Sequence, residues 1–157
     1  MYSVRKWSVR HSRFMEALYN TVNPVIILTL KGITKVFGNK LDKPITVAEA
    51  GVKGLLFDCQ MCGSCALSKT GMSCPMNCPK TIRNGPCGGV RENGMCEVKP
   101  EMRCVWVEAW DGAARMKNRD AIKSIEFAVD HREKGSSTWL KLAREGKTVS
   151  DKEATNV

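Results

Sequence analysis

The sequence predicts a small α-rich, irregular metal-cluster domain: N-terminal helices, a cysteine-rich loop module, then C-terminal helices. Three observations predict it. All eight cysteines, Cys59, Cys62, Cys65, Cys74, Cys78, Cys87, Cys96 and Cys104, fall in one 46-residue window. That window is crowded with Gly, Pro, Asn and Ser, the residues of loops and turns. On either side of it, apolar residues recur at helical spacing. One metal centre takes four thiolates, so eight point to two centres.

At 157 residues the chain is long enough for one domain, or one small domain with extended flanks. Apolar residues make up 43% and aromatics only 6%, so the core is modest and bound metal would help hold it. Three segments are expected: 1–57, a helical docking segment; 58–104, the cluster-binding module; and 105–157, a C-terminal helix and extended tail. In the first, Trp7, Phe14, Leu18 and Val22 recur at the period of one helix face. Pro24 punctuates that helix. Val25, Ile26, Leu28, Ile33, Val36 and Phe37 suit a second helix, or a strand. Gly38, Asn39 and Pro44 mark a loop, and Thr46 with Glu49 forms a capping-box pattern for a short helix. The cysteine window should hold little regular structure beyond a helical turn or two. Val105–Met116 reads as helix, 117–138 as polar and irregular, and Trp139, Leu140 and Leu142 as one short last helix. The polar tail after Gly146 should fray.

The formal charge of +9 raises three partner classes: nucleic acid, an anionic membrane face or an acidic protein. Distribution argues against nucleic acid. Lys and Arg are scattered through both flanks and the cysteine window, with no aromatic-interleaved basic stripe. The N-terminal stretch MYSVRKWSVRHSRFMEALYN carries charges throughout and has no apolar signal-peptide core. The most apolar run, Pro24–Leu30, is too short for a membrane span. A cytoplasmic location is therefore expected, where clustered thiols serve as metal ligands rather than disulfides. No Ser/His/Asp set, paired-carboxylate pattern or phosphate loop is present, so the chain offers no catalytic residues of its own.

The chemistry lies in the cysteine spacing. Cys59-Gln-Met-Cys62-Gly-Ser-Cys65 is a C-x2-C-x2-C run, which wraps three corners of a cubane and needs a fourth thiolate from further away. Cys74-Pro75-Met76-Asn77-Cys78-Pro79 supplies two candidates; Cys78 is preferred, leaving Cys74, Cys87, Cys96 and Cys104 as the second group. Glycines around Cys87 let backbone N–H groups approach sulfur, and Lys80, Arg83 and Arg91 would screen an anionic cluster. Met61, Met72, Met76 and Met95 read as shields against water, not ligands. The competing reading is structural zinc. It is weakened by the three-cysteine run and by the position of both histidines, His11 and His131, outside the window. Trp7, Trp106, Trp110 and Trp139 read as core or interface anchors, and His131 beside Asp130 as a surface pair.

The run Cys74-Pro-Met-Asn-Cys78-Pro-Lys-Thr-Ile-Arg-Asn-Gly-Pro-Cys87-Gly-Gly, with Asn93-Gly-Met-Cys96-Glu-Val, Cys104-Val-Trp106 and the later Val129-Asp-His-Arg-Glu-Lys-Gly-Ser-Ser-Thr-Trp139-Leu, resembles the methylenetetrahydrofolate reductase C-terminal family. That family includes the small subunit of the two-subunit methylenetetrahydrofolate reductase of acetogens. The resemblance implies a non-catalytic accessory subunit. Its partner would be a TIM-barrel large subunit carrying FMN or FAD, where methylenetetrahydrofolate is reduced. The small subunit would hold two [4Fe-4S] clusters on all eight cysteines and pass electrons between the flavin and an external donor such as ferredoxin. The alternative it leaves open is a zinc-binding module that stabilises the flavin subunit without redox activity. The chain is short for the family and shows no nucleotide-binding domain, so the resemblance does not specify the donor.

Overall fold

The structure, a computed structural model, describes residues 2–145. It is helical with almost no strand. Its helices are α1 (Tyr2–Arg10), α2 (Ser12–Phe37), α3 (Asp42–Phe57), α4 (Val105–Ala113) and α5 (Thr138–Glu145). Short 3-10 turns occupy Pro75–Asn77, Arg119–Lys123 and His131–Glu133. The cysteine window between α3 and α4 has only the first of these turns and two isolated antiparallel bridges, Val90 to Cys96 and Met95 to Arg103. The expected frayed tail after Gly146 lies outside the described residues. No helix among the described residues is long and apolar enough to cross a membrane.

Helix α2 runs through Pro24, which was expected to end it. A proline in a helix interior costs about 3 kcal/mol through one lost hydrogen bond and a ring clash. Beyond Pro24, Ile27 and Leu30 bury against Leu142 and Ala143 of α5. Burying two such side chains returns roughly 3–6 kcal/mol, enough to carry the helix onward. Asn20, whose carbonyl loses its N–H partner at Pro24, is exposed, so water can satisfy it. The residues from Val25 to Phe37 are therefore helical, as the second half of one long helix. It closes at Gly38, whose φ of 58° lets its N–H reach Thr34 O at 3.0 Å.

Helix α3 starts four residues before the expected cap. Pro44 sits in its first turn, where a missing N–H costs nothing. Thr46 is inside the helix and donates its hydroxyl to Asp42 O at 2.7 Å. Glu49 is fully buried and serves a different purpose, described below.

The N-terminal helices close over α3 and α4 through small residues. Ser8 and Ser12 are completely buried and donate to Leu56 O at 2.8 Å and Gly112 O at 2.7 Å. Backbones approach closely at such points. Gly71 meets Gly112 on α4 so tightly that a Cβ on Gly71 would lie 2.3 Å from Ala109 O. The main core, Met15, Phe57, Leu67, Met72 and Met116, sits directly under the first cysteines and includes Cys74. Met72 is buried in this core together with Cys74.

The Trp7, Phe14, Leu18 and Val22 pattern does not mark the buried face. Trp7 belongs to α1, and the helix axis breaks at His11. All four side chains are 41–59% exposed. Ser12, Met15, Glu16, Asn23, Ile27 and Leu30 face inward instead.

Candidate metal centre

Helix α3 ends at Phe57, and the chain then curls sharply. Asp58, Met61 and Gly63 all adopt positive φ, at 54°, 45° and 75°. This curl winds Cys59, Cys62 and Cys65 around one side of a small cavity. Cys74, just before the Pro75–Asn77 turn, closes it. Lys53, Met61, Arg83 and Thr138 complete the wall. The fourth thiol of this group is therefore Cys74, where spacing favoured Cys78. Hydrogen bonding to the Cys74 thiol lowers the Cys59 thiol to about 6, against the opposing effect of burial. The Met61 N–H, 3.4 Å from Cys59 Sγ, and the Lys53 ammonium add to that lowering. The same bond, with burial, holds the Cys74 thiol well above its ordinary range. Burial also raises Cys65, with Lys53 acting against it.

Behind these thiols lies a buried polar network that sequence reasoning missed. Lys53 Nζ pairs with Glu49 Oε1 at 2.5 Å, and both side chains are almost completely buried. Glu49 also accepts from the Ser137 hydroxyl and from Trp139 N–H at 3.3 Å, while Lys53 lies 5.1 Å from the Trp139 ring centroid. Burial alone would lower the Lys53 ammonium, but Cys65 and Glu49 outweigh it and raise it above its ordinary value. The only trace in the sequence is a Glu and a Lys four apart, a pattern most often found on solvated helix faces.

Residues 124–138 cover the outside of the site. Gly135 N–H reaches Met61 O at 2.7 Å. Arg83 donates to Ser64 O at 2.8 Å and contacts Glu126 at 3.4 Å, and Lys69 pairs with Glu126 at 2.8 Å. Of the three cations expected to screen the Cys87 group, Arg83 lines this first cavity instead. Lys80 pairs with Glu97, and Arg91 is exposed. His131 is exposed too, and Asp130 pairs with Arg132 rather than with it.

The second set of cysteines is assembled by the bridges. Cys96 N–H to Met102 O (2.8 Å) and Cys104 N–H to Gly94 O (3.0 Å) lay the Cys96 and Cys104 stretches side by side. The Val90–Cys96 bridge, with Glu97 N–H to Gly89 O at 3.2 Å, brings in the stretch that follows Cys87. Cys87 and Cys104 pack with Ile82 and Trp106. The buried Cys78 precedes Lys80 and Ile82, which are tied to this same group through Glu97 and through Trp106 Nε1 to Ile82 O at 3.3 Å. Among the described residues, no three Cys, His, Asp or Glu converge tightly enough to hold one metal ion. The donor set nevertheless suits a thiolate-bound group: soft sulfur ligands, a backbone N–H on one sulfur and two cations at the wall.

The "Methylene-tetrahydrofolate reductase C terminal" family model matches residues 39–132. No curated protein and no solved structure matches the chain. The matched span exceeds half the chain and holds all eight cysteines together with Glu49, Lys53 and Arg83. The chain belongs to the methylenetetrahydrofolate reductase C-terminal family.

Proposed function

We propose that this chain is the iron–sulfur electron-transfer subunit of a methylenetetrahydrofolate reductase complex. It passes electrons between a flavin-bearing TIM-barrel subunit and an external donor such as ferredoxin. The observation that carries this reading is the division of the eight cysteines into two groups. Cys59, Cys62, Cys65 and Cys74 line one cavity, and Cys78, Cys87, Cys96 and Cys104 belong to the adjoining segments. The groups are joined by the Pro75–Asn77 turn, so Cys74 and Cys78 are four residues apart. Even fully extended, four residues span no more than about 14 Å, and the turn shortens this further. Two centres held this way lie close enough to exchange electrons directly.

Bound [4Fe-4S] clusters would supply reversible one-electron chemistry. The chain's residues do the rest. The eight thiolates would hold the metal, the Met61 N–H stabilises charge on sulfur, and Lys53 and Arg83 offset the negative charge of four thiolates. Residues 124–138 keep water from the first group. The protein's charge of +9 favours encounter with an acidic donor.

Metal analysis tests the reading against the structural-zinc alternative. Anaerobically purified protein should contain about eight irons with matching sulfide and give an EPR signal on reduction. About two zincs without sulfide would make the chain a structural module and leave the redox work to its partner.

A further inference from the structure

Helix α2 carries two apolar stripes. One faces the core. The other, formed by Phe14, Leu18, Val22, Val25, Leu28 and Val36, follows the helical period along the opposite flank, and its members are 41–77% exposed. Helix α3 adds Val47, Val52 and Leu55, all at least half exposed. Between the two helices runs a groove lined by Leu18, Val22, Ile26, Val52, Leu56 and Trp139. Soluble proteins seldom expose this much contiguous apolar surface without a partner for it.

Charge narrows the choice of partner. Residues 1–57 contain three carboxylates, and the fold consumes each of them. Glu16 accepts from Lys117 N–H at 2.6 Å, Asp42 pairs with Arg144 at 2.6 Å, and Glu49 is buried against Lys53. Arg10, Arg13, Lys31, Lys35, Lys40 and Lys43 are exposed and pair with no carboxylate among the described residues. Residues 1–57 therefore offer this surface exposed cations and no carboxylate that the fold has not already engaged. A second copy of the chain would set like charges against each other. A flat bilayer would leave the groove between the helices unfilled.

The groove is also next to the thiols. Lys53 lines both the groove and the Cys59, Cys62, Cys65 and Cys74 cavity, and Phe57 packs beneath both. A partner seated in the groove is separated from the first cysteine group by a single layer of side chains.

We propose that the exposed faces of α2 and α3 are the docking site of the flavin-bearing reductase subunit, which contributes an apolar ridge edged with carboxylates. The proposal rests on the subunit reading above and names the surface that reading requires. The stripe residues are exposed, so Leu18→Glu and Val25→Glu should leave the circular dichroism and metal content unchanged.

The test is binding of the purified full-length chain to the flavin-bearing subunit from the same genome. The expected result is a stable wild-type complex, at least a tenfold rise in Kd for each stripe variant, and no change for Phe127→Glu, which is exposed outside the stripe. Lys31→Glu with Lys35→Glu should slow association, most strongly at low salt. No binding by the wild-type chain would sink the subunit reading itself. Wild-type binding that both stripe variants retain would overturn the docking site alone. The site is also overturned if the stripe substitutions abolish only self-association in sedimentation, or only flotation with phosphatidylglycerol vesicles.

Discussion

Cys59 and Cys74 line the same cavity, and each acts on the other, which draws the Cys59 thiol down and holds the Cys74 thiol up. Their juxtaposition ties the C-x2-C-x2-C run to the first cysteine of the C-x3-C-P element. It also means that consecutive cysteines, Cys74 and Cys78, belong to different groups, with the Pro75–Asn77 turn as the divider.

Serine substitutions should therefore sort by group. Cys62→Ser and Cys74→Ser are expected to lose one centre and keep the other, at roughly half the wild-type iron, since each group supplies the four thiolates of one cluster. Cys78→Ser and Cys87→Ser should lose the other centre, giving an EPR spectrum complementary to that of Cys74→Ser. If Cys74→Ser and Cys87→Ser lost the same signal, the grouping would be wrong.

The buried pair behind the thiols should be costly to break. Lys53→Met leaves the buried Glu49 carboxyl without its cation, supported only by Ser137 and the Trp139 backbone N–H. Removing one partner of a buried pair costs about 3–5 kcal/mol, whereas replacing both by apolar groups is often close to neutral. Denaturant unfolding of metal-loaded protein should show Lys53→Met as the worst variant and Glu49→Leu/Lys53→Met as substantially recovered. Additive losses in the double variant would rule out the coupling.

Two glycines with positive φ should respond very differently to alanine. Gly94, at φ 78°, has open space where a Cβ would go, so alanine should cost only the left-handed conformation, about 1 kcal/mol. Gly71, at φ 59°, would place its Cβ 2.3 Å from Ala109 O and 2.4 Å from Ala113 N. Those atoms are helix backbone and cannot yield. Gly71→Ala should therefore lower the thermal midpoint well beyond Gly94→Ala, and equal midpoints would show that α4 can shift.

The cysteine window and both flanking helical regions were legible in the sequence because they rest on local signals. Cysteine spacing, loop composition and helical period all act over a few residues. Helix boundaries were less legible where a distant contact decided them. Nothing near Pro24 announces that α5 packs on Ile27 and Leu30. The fourth thiol of the first cavity was not legible for a similar reason. Spacing left both Cys74 and Cys78 open, with Cys78 preferred, and the core packing of Cys74 against Leu67 and Met72 separates them. Lys53 was invisible as part of the site because Glu49 shares its helix while Ser137 and Trp139, at the start of α5, lie far away in sequence. The stripe on α2 lies in the segment expected to dock a partner, but periodicity reveals an apolar face without saying whether the fold or a partner covers it.

The ion pair between α1 and α4 predicts a pH dependence of definite sign. Arg5 Nη2 lies 2.9 Å from Glu108 Oε2, with both side chains buried. Burial raises the Glu108 carboxyl above its ordinary value of 4.5, and the opposing pull of Arg5, Lys6 and Arg103 does not cancel it. A carboxyl raised in the fold binds its proton more tightly folded than unfolded. Its stabilising contribution is full below the unfolded value and is lost as pH rises through the folded one. Glu108→Gln fixes a neutral side chain of the same shape, so it removes the titration and leaves the rest. The stability of wild type relative to Glu108→Gln should therefore improve as pH falls from neutral towards the ordinary carboxyl value of 4.5, read by urea unfolding of both proteins. A gap that moves the other way would mean that Arg5 wins and the carboxylate is held ionised, with α1 fastened to α4 by charge rather than by a shared proton.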